Sequence, residues 1–284
     1  MRFLISNDDG IHAPGLLALH EALAAIGEVV VIAPHAEQSG CASALHISQP
    51  LYTQQLPSGF IVVNGTPADC VFLGLQELCQ HKRFDWVITG INSGANLGQD
   101  VMYSGTFGAA LTAQLFGVPA MATSLVSGKI TCDEQQIKHY KIAAAEIVNL
   151  VTESSILDTM QQLPYHVLNV NIPPVATASE IKGRKITRLG HHRIAKPVHH
   201  TVDPRGRDAY WLSLYKSDTP LAAGDDAQNP NGRFISNNNS AHDNNSPYNS
   251  TDYQAISAGY ISVSPVKLPH TPTSALDKLS ALGL

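Results

Sequence analysis

As far as Pro173-Pro174 the chain repeats one order: a short apolar run, a polar loop with glycine, then apolar residues at helical spacing. Phe3-Leu4-Ile5 reads as a buried strand, and Asn7-Asp8-Asp9-Gly10 as the loop that leaves it. Leu16, Leu17, Leu19, His20 and Leu23 recur at helical spacing behind Pro14-Gly15, and residues 29–33 form a second apolar run. Strand, loop, helix and strand make a βαβ unit. Residues 47–55 and 59–64 flank Pro57-Ser58-Gly59 as a hairpin. Thr66 and Pro67 have the chemistry of an N-cap and a first helical position, for a helix through Leu78. Further strands are expected at 85–90, 118–124 and 166–172, and helices at 107–116 and 134–151, the last with Ile137, Ala144, Ile147 and Val151 inward. This order predicts an α/β fold, a Rossmann-like and mostly parallel sheet flanked by helices.

The pattern changes after Pro174, where the α/β layer is expected to end. Strand-like pieces at 185–189 and 210–215 lack helical partners, and 224–250 is an asparagine-rich polar stretch that reads as a flexible loop. Ile256 with 260–263 is expected as a late strand and 274–282 as a terminal helix. The predicted division is an α/β catalytic core at 1–180 and a C-terminal extension at 181–284. That extension, a β-hairpin and helix, serves oligomerisation and is not an independent domain.

Composition narrows the function. Of 284 residues 44% are hydrophobic, ample for a packed core, while only 14% are charged and the net charge is −5. No basic stripe is present to follow a nucleic-acid backbone, so no nucleic-acid polymer is expected as partner. No stretch of roughly 18 apolar residues predicts a membrane span, and the start shows no signal-peptide pattern, so a cytoplasmic location is expected. Cys41, Cys70, Cys79 and Cys132 lack CxxC spacing and read as free thiols.

The candidate chemistry lies where parallel strands end, the edge at which such sheets bind ligands. Asp8 and Asp9 are neighbouring carboxylates that repel unless a cation or proton lies between them. A hard-cation site and a plain Asp-Gly turn both remain open on this observation. Ser39, in the loop after the second strand, supplies a hydroxyl ligand or a turn cap. Gly90, Gly94 and Gly98 alternate with Asn92 and Asn96 in a spacing that is not GxGxxG, and no acidic residue follows at ribose-reading distance. A dinucleotide cofactor is therefore discounted. Ser104-Gly105-Thr106 opens a helix with two hydroxyls and free N–H groups, a phosphate cradle or an ordinary cap. His191-His192 and His199-His200 are poor bidentate pairs, since adjacent strand residues point to opposite faces. Taken together, Asp8, Asp9, Ser39 and Asn92 form an all-oxygen set suited to Mg²⁺, Mn²⁺ or Ca²⁺ rather than zinc.

These stretches resemble the SurE family, stationary-phase survival proteins that act as divalent-metal-dependent nucleotidases. The resemblance is carried by Ser6-Asn7-Asp8-Asp9-Gly10, Ala33-Pro34 with Gln38-Ser39-Gly40, and Gly65-Thr66-Pro67 with Asp69-Cys70. It continues in Gly90-Ile91-Asn92, Gly94-Ala95-Asn96-Leu97-Gly98, Tyr103-Ser104-Gly105-Thr106 and Gly259-Tyr260-Ile261-Ser262-Val263. It implies metal ligation by Asp8, Asp9, Ser39 and Asn92, phosphate contacts from Asn96, Ser104, Gly105 and Thr106, and catalysis by Asp8, Asp9 and Asn96. It also implies one Mg²⁺ or Mn²⁺ per subunit, with Ca²⁺ able to occupy the site. The implied reaction releases phosphate from nucleoside 5′-monophosphates, often 3′-monophosphates and sometimes polyphosphate. The implied assembly is a homodimer or homotetramer with exchanged C-terminal elements. Thr112-Ala113, Gln99 and His35-Ala36 depart from the family's usual residues. A sensor that binds nucleotide or phosphate at the same site without turnover is the competing reading. A transferase is a third, but the acceptor motif it would need is not seen.

Overall fold

A computed structural model describes residues 1–126, 133–194, 198–212, 216–220, 250–267 and 280. The first part of the chain runs β1 (Arg2–Ser6), α1 (Pro14–Ala24), β2 (Glu28–Pro34), β3 (Thr53–Gln55), β4 (Ile61–Val63) and α2 (Pro67–Leu73). It continues with β5 (Trp86–Ser93), α3 (Gly105–Leu115), β6 (Ala120–Leu125), α4 (Glu134–Val151), α5 (Ile156–Gln161) and β7 (His166–Ile172). Then follow β8 (Arg184–Ile186), β9 (His192–Ile194), β10 (Val198–Val202), β11 (Asp208–Leu212), β12 (Lys216–Pro220), α6 (Asp252–Ser257) and β13 (Ile261–Lys267).

Nine strands form one sheet in the order β3-β4-β2-β1-β5-β6-β7-β13-β8. The pairs from β4 through β7 are parallel, β3 closes an antiparallel hairpin on β4, and β13 lies antiparallel to β7. Both faces are covered, so central strands are apolar on both sides. Phe3 and Ile5 of β1 pack in the layer of α1 and α4, with Leu16, Leu19, Tyr140 and Ile147. Leu4 points the other way, into the layer of α2 and α3, with Val71, Phe107 and Ala110. Alternation with period two thus serves two cores at once.

The α/β character and the parallel sheet emerge as the sequence predicts, and the differences have local causes. The sheet does not end at β7. β13 pairs with Asn171 through His166, and β8 joins it in parallel, so two late strands complete the central layer. Ile256 belongs to α6 rather than to the late strand. The strand expected at 47–55 shortens to β3, because Pro50 lacks a ladder donor; Ile47 is exposed. β5 runs on to Ser93, through residues expected as loop, beside Ser124 and Leu125 of β6. On α4 the buried stripe of Tyr140, Ala144, Ile147 and Val151 extends back onto Gln136, leaving Ile137 exposed. The 3.6-residue period carries the stripe there. α5 was not anticipated. Thr66 caps α2 behind Pro67 as expected, and Asp69 closes a capping box with it. Most of the asparagine-rich stretch, the terminal helix and Cys132 lie outside the described residues.

The late strands are integral to this core, so burial sets the expected outcome. Ile261→Ala, at a position 1% exposed, should cost about 2–4 kcal/mol. Ile186→Ala on β8, at 57% exposure, should cost under about 1 kcal/mol. Chemical denaturation checks both; equal losses would contradict the placement of β13.

Candidate active site

The site is built on the carboxyl edge of β1, β2, β5, β6 and β7. β1 ends at Ser6, and the loop beyond it is shaped by Asn7, whose buried side-chain amide donates to the Gly10 carbonyl at 2.9 Å. Gly10 takes φ +96°, a conformation that a side chain would strain. This tight loop points Asp8 and Asp9 inward: Asp8 is 4% exposed.

Both carboxylates meet elements from elsewhere in the chain. The Thr106 hydroxyl donates to Asp8 Oδ1, and the Thr106 backbone N–H also reaches this carboxylate. Asp8 therefore sits at the N-terminus of α3, the positive end of its dipole. Gly105 permits the approach, since a Cβ there would lie 2.8 Å from Cys41 Sγ and 3.0 Å from Asp8 Cβ. Asp9 Oδ2 accepts the Ser93 amide at 3.0 Å, which ties it to the end of β5. The loop after β2 closes the third side: the Gln38 amide donates to the Asp8 carbonyl at 2.7 Å, and Ser39 Oγ donates to Glu37 Oε1 at 2.8 Å. Glu37 adds its negative charge to the field on both aspartates, a contribution the sequence reading did not single out.

Burial dominates the electrostatics. Desolvation pushes the Asp8 carboxyl above its usual range against the pull of the Thr106 hydrogen bonds. Asp9 is pushed up to about 7, by burial first and then by the charge of Asp8. The pair thus resists carrying two negative charges without a counter-charge. Asn7 Oδ1 and Ser93 Oγ are also buried without protein partners in the same loops. Among the described residues no three His, Cys, Asp or Glu side chains gather at metal-binding distance, so a cation here would complete its shell with neutral oxygens. Adjacent carboxylates with hydroxyl and amide oxygens fit a hard cation.

The other candidates lie on the neighbouring elements, each with partners of its own. Ser104 caps α3 by accepting the Phe107 amide at 3.0 Å, which leaves its own O–H to donate. Asn92 turns its amide nitrogen to the Gly94 carbonyl at 3.0 Å. Asn96 is 7% exposed and lies in a polar network absent from the sequence reading. Its side chain donates to Ser124 Oγ at 3.0 Å, its N–H donates to Asn171 Oδ1 at 2.9 Å, and its carbonyl accepts from Asn169 at 2.8 Å and Asn171 at 3.1 Å. Asn169 and Asn171 alternate with apolar residues on β7, and those polar positions in an otherwise apolar run were the available signal. The loop over α3 is pinned by His46, which meets Asp69 through its ring nitrogen at 2.7 Å and its amide at 3.0 Å. On β10, in a separate two-stranded sheet, His200 bonds Asp208 on the neighbouring exposed strand, and His199 alternates with it.

Comparison with known proteins fits this arrangement. The family model described as Survival protein SurE matches residues 3–196. The chain belongs to the SurE family. A protein of Psychrobacter cryohalolentis named 5′-nucleotidase SurE is 61% identical, over 100% of both chains. One of the same name from Stutzerimonas stutzeri is 40% identical over 99% of this chain and 98% of its own. The crystal structure of the SurE protein from Aquifex aeolicus aligns with a TM-score of 0.72 at 31% identity, covering 100% of each chain. The SurE fold thus extends over the late strands as well as the region that the family model spans. No helix among the described residues is long and apolar enough to cross a membrane.

The buried pair makes stability depend on pH in a defined sense. Asp9 has a folded pKa of about 7 against an ordinary value of 3.8, so between these values the folded state holds a proton that the unfolded chain has released. Without a cation, stability therefore falls as pH rises through this window, by at most about 1.4 kcal/mol per pH unit from this group. Asp9→Asn escapes the loss while keeping an oxygen for the Ser93 amide. In chelator at about pH 8 the variant should unfold at higher denaturant than wild type, and the gain should vanish near pH 4. Lower stability of the variant at both pH values would contradict this electrostatic account.

Proposed function

We propose that this chain is a divalent-metal-dependent 5′-nucleotidase that hydrolyses nucleoside 5′-monophosphates to nucleoside and phosphate. The observation that carries the reading is the convergence of two adjacent carboxylates, Asp8 buried and Asp9 partly so, with the N-terminus of a helix that opens Ser104-Gly105-Thr106. The names of full-length relatives support the same activity.

Asp8 and Asp9 supply the charged ligands and Ser39 and Asn92 the neutral oxygens for one Mg²⁺ or Mn²⁺ per subunit, with Ca²⁺ able to take the position. When bound, the cation would neutralise the pair, polarise the phosphoryl group and acidify a water molecule. Ser104 and Gly105 hold phosphoryl oxygens with hydroxyl and N–H donors aided by the α3 dipole, Asn96 supplies a further amide, and Thr106, whose hydroxyl and N–H both go to Asp8, ties the cradle to the aspartate pair. The aspartate pair orients a water molecule in line with the ester. The water oxygen bonds to phosphorus as the phosphorus–oxygen bond to the nucleoside breaks, and the proton the water sheds passes to the leaving oxygen, giving nucleoside and inorganic phosphate. Family resemblance extends the proposal to 3′-monophosphates and polyphosphate as further substrates. It also extends to a catalytic core at 1–180, and to a cytoplasmic homodimer or homotetramer that exchanges C-terminal elements from 181–284.

Phosphate release from a panel of mononucleotides, with and without Mn²⁺ or Mg²⁺, is the primary test. Chelator should abolish turnover and added cation restore it, whereas binding without turnover would favour the sensor. Asp8→Asn should remove most activity in a folded protein. Ser104→Ala should lose about 1 kcal/mol of stability as a cap and, in addition, about ten- to a thousandfold in kcat/KM. A stability loss with wild-type kcat/KM would reduce Ser104 to a cap.

A further inference from the structure

The segment after Ser250 is fastened to the loop between Asn96 and Ser104. Asp252 is 0% exposed, and its Oδ2 accepts the Gly98 amide at 2.6 Å across 154 residues of sequence. Its Oδ1 accepts the amides of Gly190 at 2.8 Å and Tyr253 at 2.9 Å. The Tyr253 hydroxyl donates to the Leu97 carbonyl at 3.1 Å. The two residues that follow Asn96 are thus each held by a side chain from α6.

The contact is close as well as polar. Gly98 takes φ +55°, and a Cβ there would lie 2.4 Å from the Gly190 carbonyl oxygen and 2.8 Å from the Tyr253 ring. A Cβ on Gly190 would lie 2.6 Å from that ring. Gly98 opens the 3₁₀ turn Gly98–Met102, and the Asp100 carbonyl in that turn accepts the Ser104 amide at 3.1 Å. On the other side Asn96 is gripped by Ser124 of β6 and by Asn169 and Asn171 of β7. A displacement at Leu97-Gly98 therefore moves Asn96 one way along the chain and Ser104 the other.

We propose that Asp252 and Tyr253 are positioning residues for phosphoryl hydrolysis: they fix Leu97-Gly98, and through it the spacing between Asn96 and the Ser104 cradle. The proposal rests on the assignment of Asn96 and Ser104 to the phosphoryl group made above. Charge-assisted bonds from three N–H groups hold the carboxylate of Asp252 in one orientation. Asparagine cannot reproduce this, because its amide nitrogen would face an N–H donor. Tyrosine's hydroxyl is separable from its packing, so phenylalanine removes one hydrogen bond and leaves the ring against Gly98 and Gly190. The α6 segment then builds the active-site loop before the chain enters β13.

The test compares Tyr253→Phe, Asp252→Asn, Asn96→Ala and the double variant Asn96→Ala/Tyr253→Phe, using a nucleoside monophosphate and Mn²⁺. Tyr253→Phe should keep the wild-type unfolding midpoint within a few degrees and the full stabilisation by Mn²⁺, while kcat/KM falls about tenfold, mainly in kcat. Asp252→Asn should lose more, about a hundredfold. The double variant should lose less than the two single losses combined, because the spacing that the hydroxyl sets matters less once the Asn96 side chain is gone. Wild-type kcat/KM in Tyr253→Phe, beside a defective Asn96→Ala, would overturn the positioning role and leave the site assignment standing. Additive losses in the double variant would overturn it as well. Wild-type kinetics in Asn96→Ala would overturn the site assignment and the positioning role together. Tyr253→Phe keeps the proposal testable even where Asp252→Asn fails to fold.

Discussion

The burial of two adjacent carboxylates is the constraint on which the rest of the site depends. Asp8 and Asp9 leave β1 together, and the tight loop around Gly10 buries Asp8 and leaves Asp9 only partly exposed. Their charge is expensive in this position, and protein donors answer only part of it: Thr106 reaches Asp8, and Ser93 reaches Asp9. A protein at neutral pH can resolve this with a proton or with a cation. With Ser39 and Asn92 proposed as further oxygen ligands, and no histidine or thiolate among them, the set favours a hard cation. The α3 N-terminus serves the anion of the protein, and in the proposed reaction it would serve the anion of the substrate as well.

The fold explains why that pair meets its partners. Each strand from β1 to β7 in the parallel block ends at one edge, so loops distant in sequence converge there. Small residues set the distances. Gly105 lets α3 approach Asp8, and a Cβ on Gly108 would lie 2.2 Å from the Ala42 carbonyl of the loop over it. Gly15 lets α1 approach β5, since a Cβ there would lie 2.0 Å from the Ile91 carbonyl. The late part of the chain adds both an inner strand and the contacts of α6 on the active-site loop. The loop after Asn96 and the α6–β13 segment pack directly on each other and on the sheet.

Much of this was legible in the sequence because it is local. The strand ending in Asp8-Asp9, the cap chemistry of Thr66-Pro67 and the helix start at Ser104-Gly105-Thr106 each announce themselves within a few residues. Parallel topology brings strand ends together, which is why the candidate residues can be proposed as one set. Long-range pairs carried no such signal. Nothing near Asn96 names Asn171 as its partner, 75 residues away, and nothing near Gly98 names Asp252. The antiparallel insertion of β13 between β7 and β8 was also hidden, because the intervening polar stretch suggested a separate layer. Glu37 escaped notice for a related reason: a charge in a polar loop looks solvated until the fold places it near two buried carboxylates.

The central claim is that the Asp8-Asp9 pair is a cation site. Anomalous scattering from crystals of the full chain grown with Mn²⁺ tests it most directly. One strong peak per chain is expected, bonded to carboxylate oxygens of Asp8 and Asp9, with Ser39 and Asn92 turned toward it at about 2.0–2.6 Å. A map with the ion elsewhere, or with protonated carboxylates bonded to each other and no ion at saturating Mn²⁺, would contradict it.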